Sequence, residues 1–312
     1  MIIHYSKNPV KQLIGVCYHN RVAIFLFTVF ALSAYYLCTY KGYDFINVPA
    51  VPVSILGGAL AIFLGFRNSS AYDRWWEARK VWGSIVNNSR SLGLELITYP
   101  IGENEEEEKV IEEWRRESVM RHIGWLYTLN AQLRKKPIEL KPYLNDHDIE
   151  LLKGKNNLAA QILVIQGNAI DNAFRRGWIE EFRFNSLIKT LKNFYDDQGK
   201  AERIKNTIFP FYYNYFTNFF LWLFTISLPF ALSTVMTNWL MIPLSVAISF
   251  AFYILNKSGV ITETPFEGSA SDTPLTTICR TIEIDLLQML DTDEVPEIHP
   301  AQKGKFDVLF QT

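Results

Sequence analysis

Residues 207–256 read TIFPFYYNYFTNFFLWLFTISLPFALSTVMTNWLMIPLSVAISFAFYILN, a stretch without one Asp, Glu, Lys or Arg between Lys205 and Lys257. A bilayer hydrocarbon core about 30 Å thick takes roughly 20 apolar helical residues to cross. The stretch is therefore too long for one crossing and fits two spans with a turn. Polar residues interrupt it at Ser233-Thr234 and at Thr237-Asn238, so the turn is expected at one of these places. Pro229 is expected to kink the third span or end it. Toward the N-terminus lie two shorter charge-free runs, Val22–Tyr40 between Arg21 and Lys41, and Phe45–Phe66 between Asp44 and Arg67. Together they predict an all-α membrane protein with four spans and a large charged helical region.

Two other readings of these runs are weaker. Val22–Tyr40 is longer than the apolar core of a signal peptide, and further spans follow it. Uninterrupted runs of this length also exceed what the buried helices of a soluble protein need. Mean hydropathy is only +0.03 because lipid-grade and highly charged segments average out. The formal net charge of -1 gives no global field for nucleic acid. Cys17, Cys38 and Cys279 are scattered, with no spacing that suggests a disulfide framework or a zinc site.

Lys/Arg bias sets the orientation. Lys7, Lys11 and Arg21 precede span one; Arg67, Arg74, Arg79 and Lys80 follow span two; Arg203 and Lys205 precede span three. Both termini and residues 67–206 are expected in the cytosol, with the two short links outside. The chain divides into 1–66 (N-terminal segment, spans one and two), 67–206 (cytosolic helices), 207–256 (spans three and four) and 257–312 (cytosolic C-terminal segment).

Within the charged region, Trp75, Trp76, Val81, Trp82, Ile85 and Leu92 recur at helical spacing, and this helix is expected to continue unbroken from span two until Pro100-Ile101-Gly102. A second helix is predicted from Glu105 to about Lys135, its acidic start suiting the positive helix N-terminus and its basic end the C-terminus. That role is the better account of the Glu105–Glu108 run than a metal site. Shorter helices are predicted over 147–153, 156–175 and 180–195, with an irregular stretch from Gly259 to Asp272. A last helix is predicted from Thr273 to Leu290, capped by Thr273 or Asp272. The tail reads as loop; its Val308-Leu309-Phe310-Gln311 resembles part of a protease tag site. No strand-rich stretch is expected.

No Gly-rich phosphate loop, HExxH or GxSxG motif occurs, and His4, His19, His122, His147 and His299 are far apart. No catalytic constellation, metal site or cofactor is expected. The spans carry no internal charge, which disfavours an ion-coupled carrier. In span two, Gly58, Ile62 and Phe66 lie at i, i+4 and i+8 and share one helix face. In a ring of identical subunits that face could form a narrow apolar constriction, which gates by dewetting. Packing inside one subunit is the other reading of the same face, and the pattern leaves both open.

The stretch Gly65-Phe66-Arg67-Asn68-Ser69-Ser70-Ala71-Tyr72-Asp73-Arg74-Trp75-Trp76-Glu77-Ala78-Arg79 resembles the signature that follows the second span in bestrophins, and more closely in their bacterial branch. Glu202–Pro210 is similar to the family's approach to span three. Thr264-Pro265-Phe266, Asp272-Thr273-Pro274-Leu275 and Cys279-Arg280-Thr281-Ile282-Glu283 resemble its segment after span four. The resemblance implies a homopentameric channel, chiefly for chloride, in a bacterial inner membrane, with small inorganic ions and lipid as partners and no nucleic acid. It implies an apolar neck at Gly58, Ile62 and Phe66, with Gly58 in place of the usual bulky residue. It also implies a cytosolic aperture within Trp178–Phe182, formed by Phe182 with Ile179 behind it.

Animal members bind calcium through an acidic run after an Asn-Pro-Phe-Gly motif. Here Thr264-Pro265-Phe266-Glu267-Gly268 has no such run after it, although Glu267 and Asp272 remain. An apolar neck cannot select by charge, so the mouths must. Glu180 and Glu181 would favour cations, which some bacterial relatives conduct, and Arg67 would favour anions. The competing class is a membrane enzyme or a non-conducting scaffold. It would require a polar cluster at one membrane face.

Overall fold

The computed structural model describes residues 2–4, 9–207, 210–292 and 294–311. Ten helices follow one another among these residues: α1 (Pro9–His19), α2 (Arg21–Ala34), α3 (Ala50–Thr98), α4 (Glu105–Leu133), α5 (Asp146–Leu152), α6 (Leu158–Arg175), α7 (Glu181–Asn206), α8 (Phe211–Ser233), α9 (Met241–Thr262) and α10 (Leu275–Met289). A π-helical turn, Tyr35–Tyr40, continues α2. Four segments are long and apolar enough to cross a membrane: Arg21–Tyr40, the first part of α3, α8 and α9. The turn between α8 and α9 follows Ser233, the first of the two expected places. Pro229 lies inside α8 without ending it. Part of the expected start of span three, residues 208 and 209, lies outside the described residues, as does Lys7.

α3 organises the molecule. Its 49 residues extend for about 73 Å, more than twice the hydrocarbon thickness. It crosses position 66/67 without a break and stops at Thr98, before Pro100, as the lack of proline from Arg67 to Ile97 predicts. Its first part packs Val53, Leu60 and Leu64 against Leu221, Phe224 and Leu228 of α8. Its second part places Trp82, Ile85, Leu92 and Leu96 in a separate core with Trp125 and Leu129 of α4, Ile162 and Ile170 of α6, Leu187 and Phe194 of α7, and Ile282 and Leu286 of α10. Gly57 permits the close approach of α8: a Cβ there would sit 2.7 Å from Phe224 Cε2.

The charged region begins its helices with side-chain caps. Asn104, Asn145 and Asn157 accept from the backbone N–H of Glu107, Asp148 and Ala160. Each satisfies a donor that the first helical turn leaves free.

Four expectations need correction. α7 does not stop at 195 but continues to Asn206. Asp196-Asp197-Gln198-Gly199 reads locally as a terminator, yet Asp197 accepts from Asn88 and Gln198 accepts from Trp125. Tertiary contacts thus override weak local propensity. Second, α10 is not capped by Asp272 or Thr273. Asp272 turns back to accept from the N–H groups of Gly268 and Ser269, closing a turn in which Gly268 has φ +85°. Third, α9 continues through Lys257 to Thr262, so the irregular stretch is shorter than expected. Fourth, the termini are not all loop. β1 (Ile2–His4), β2 (Gln302–Lys303) and β3 (Leu309–Phe310) form a small antiparallel sheet in the order β1-β3-β2. Helix α1, ahead of span one, was also unforeseen.

Candidate functional site

Along its apolar half, α3 has two unlike faces. Gly57, Leu60 and Leu64 are buried against α8. Gly58, Ile62 and Phe66 occupy the other side, with Ile62 64% and Phe66 69% exposed and no atom within 4 Å of a Cβ added at Gly58. Between the two sides, Phe63 stacks on Tyr213 at 4.3 Å. The row proposed for the neck is therefore left uncovered by its own chain.

Arg67 does not share that row. Leu60, Leu64, Arg67 and Ala71 follow i, i+4, i+7 and i+11, which puts Arg67 on the buried face. It is 1% exposed. Its guanidinium donates to Asn256 Oδ1 at 2.6 Å and pairs with Glu263 at 3.1 Å. Asn256 in turn donates to Asn218 Oδ1 at 2.9 Å, and Asn68 donates to the Leu255 carbonyl at 3.1 Å. The expectation that Arg67 offers charge to an ion path is therefore corrected: it bolts α3 to α8 and α9 just below Phe66. Glu263, Asn256 and Asn218 were not singled out from sequence. The helical spacing of Arg67 signals that it faces inward, but not which residues meet it there.

The residues of the expected aperture separate into buried and free. Phe182, in the first turn of α7, is 89% exposed. Glu180 and Glu181 beside it are exposed, whereas Ile179 is buried in the larger core. Trp178 fixes the loop. Its indole N–H donates to Glu107 Oε1 at 2.7 Å, its carbonyl accepts from Ile101 N–H at 3.0 Å, and its ring lies edge-on to Trp114. The Glu103 backbone N–H and this indole hold the Glu107 carboxyl below the usual carboxylate range. So one member of the acidic run does more than suit the helix terminus. Arg183 donates to the Tyr99 carbonyl at 3.1 Å, and Ser186 donates to Glu95 Oε1 at 2.7 Å. These two bonds join the start of α7 to the far end of α3.

The residues left from the calcium motif do not converge. Glu267 pairs with Lys205 at 2.7 Å, and Asp272 is engaged in its own turn. Among the described residues, no group of three or more His, Cys, Asp or Glu side chains is placed to hold a metal ion. His122 is fully buried, with Nε2 2.9 Å from Ser89 Oγ and its ring stacked on Trp125. Burial lowers its pKa to about 3.

A profile of the bacterial and fungal bestrophins matches residues 15–288. The chain belongs to the bestrophin family. Its similarity to the voltage-dependent anion channel-forming protein YneE of Escherichia coli K12 is 36% identity over 271 residues, 86% of each chain. A voltage-dependent anion channel-forming protein of Mesorhizobium japonicum is 29% identical over 287 residues, 91% of this chain and 88% of its own. The crystal structure of a bacterial bestrophin homologue from Klebsiella pneumoniae superposes with a TM-score of 0.80 at 28% identity, covering 87% of this chain and 98% of that one. This bestrophin thus has the helical fold of its relatives, with four apolar helices suited to a membrane.

Proposed function

We propose that this bestrophin assembles as a homopentamer in a bacterial inner membrane and conducts small inorganic ions passively along a central axis. The first part of α3 walls the pore, with Gly58, Ile62 and Phe66 as the neck and Phe182 at a cytosolic aperture. Both termini and residues 67–206 lie in the cytosol, in keeping with the clusters of Lys and Arg that flank the spans. The uncovered row on α3 carries this reading: an apolar, charge-free face beside a buried one is what a helix needs to pack on one side and line a constriction on the other. The relatives described as anion channel-forming favour anions as the permeant species. Cations are the second reading, favoured by exposed Glu180 and Glu181 and by the burial of Arg67.

The test is reconstitution of the purified chain in liposomes, with its mass measured in parallel. Flux that follows the gradient without a coupling ion, from a five-subunit particle, is expected. A monomer without flux refutes the proposal. Ile62→Ala and Phe66→Ala are expected to raise conductance or loosen gating, and unchanged currents in both remove them from the pore.

A further inference from the structure

Below Phe66, the uncovered face of α3 continues into the charged region. Seven residues make almost two helical turns, so Asp73 lies within about 20° of Phe66 around the axis and about 10 Å farther along it. It is exposed, and its side chain makes no hydrogen bond or ion pair among the described residues. It lines a cavity of about 410 Å³ with Ser70, Arg74, Glu77 and Arg203.

The neighbouring charges are engaged. The Arg74 guanidinium donates to the carbonyls of Ile204 and Thr207. Glu77 pairs with Arg203 at 2.7 Å. Arg67 is buried against Glu263. Lys80, the next exposed charge on this face, lies about 10 Å beyond Asp73, more than one Debye length at physiological salt, and about 21 Å from Phe66.

We infer that Asp73 is a specificity-determining residue: one carboxylate per subunit forms a ring beneath the neck that enriches cations and depletes anions at its cytosolic mouth. The inference rests on the pore reading above and deepens it. Charge of one sign lining a confined path changes local ion concentrations by about tenfold or more. Asp73 therefore sets the balance between cation and anion permeability, and it does so whichever ion the complete pore prefers.

The test compares purified full-length wild type, Asp73→Asn and Glu77→Gln in planar bilayers under asymmetric sodium chloride. Asp73→Asn is expected to lower the sodium-to-chloride permeability ratio by about tenfold. Glu77→Gln, whose charge is already offset by Arg203, is expected to change it less. Asp73→Lys is expected to move the ratio further in the same direction as Asp73→Asn. Size-exclusion chromatography checks that each variant keeps its assembly. A conducting Asp73→Asn channel with an unchanged ratio overturns the assignment and leaves the channel standing. A wild-type protein that passes no current overturns the pore reading and the assignment with it.

Discussion

Replacing Glu263 with Gln should destabilise the protein more than replacing its partner Arg67, although the ion pair is the same. Arg67 is 1% exposed and Glu263 11%, and their atoms approach to 3.1 Å. Removing one member of a buried pair costs about 3–5 kcal/mol, because the other is left charged and unpaired. Glu263 caps the end of α9, where water can reach a carboxylate left alone. The Arg67 guanidinium has no such route: it would keep Asn256 and at best a neutral amide oxygen in place of the carboxylate, with Nε already unpartnered. Glu263→Gln is therefore expected near the upper part of that range, and Arg67→Met near or below its lower end. At about 2–4 °C per kcal/mol for a chain of this size, the first corresponds to a fall of about 10–20 °C in melting temperature. Thermal melts of the detergent-purified protein read both. The double variant Arg67→Met/Glu263→Met, which removes both charges, should be more stable than Glu263→Gln alone. Single variants that melt within about a degree of wild type, or a double variant whose loss is the sum of the two, would refute the reasoning.

Adjacent glycines on α3 should respond in opposite ways. Gly57→Ala places a methyl 2.7 Å from Phe224 Cε2 and should cost about 1–3 kcal/mol in thermal melts, whereas Gly58→Ala meets open space and should gain up to about 1 kcal/mol; equal effects would place α8 wrongly. Trp178→Phe deletes the indole N–H held by Glu107, so hydrogen exchange over residues 177–183 should speed up, and unchanged exchange would show that this bond does not hold the loop. Burial lowers the His122 pKa from 6.5 to about 3, so between those values the unfolded chain binds a proton that the folded chain refuses. Stability from this site is complete above the unfolded value and is lost as pH falls through that window, by about 1.4 kcal/mol per unit. Melting temperature should therefore drop more steeply below pH 6.5 in wild type than in His122→Phe, and parallel pH profiles would exclude His122 as the cause.

What could be read in the sequence depended on how locally it was encoded. The spans, the continuous α3 and the row Gly58, Ile62 and Phe66 follow from charge-free length, missing breakers and a four-residue repeat, all within one element. Arg67 was misread because its charge was considered without its azimuth; counting from Leu60 and Leu64 would have turned it inward. Its partner Glu263 is remote in sequence, and no local pattern announces such a pair. The last turns of α7 were lost for a similar reason. Asp197 and Gln198 look like loop residues until Asn88 and Trp125 bond to them. The sheet that joins the two termini pairs segments about 300 residues apart and left no trace in the local pattern.

The placement of the two polar fixings bears on how the two proposed constrictions would relate. Phe66 and the end of α3 at Thr98 are about 48 Å apart on one helix. The upper fixing, Arg67 with Asn256 and Glu263, ties that helix to α9 directly below the neck row. The lower one, through Tyr99 and Glu95, ties it to the first turns of α7 beside Phe182. Between them α3 runs through the larger hydrophobic core, and no proline interrupts its hydrogen bonding. A rigid rotation of the helix would therefore disturb both fixings at once. A change confined to one constriction must instead move the side chains themselves, or the short loop 176–180, and leave the helix in place. Currents from Arg67 and Ser186 variants distinguish the two cases, because only a rotating helix lets damage at one fixing alter the constriction at the other.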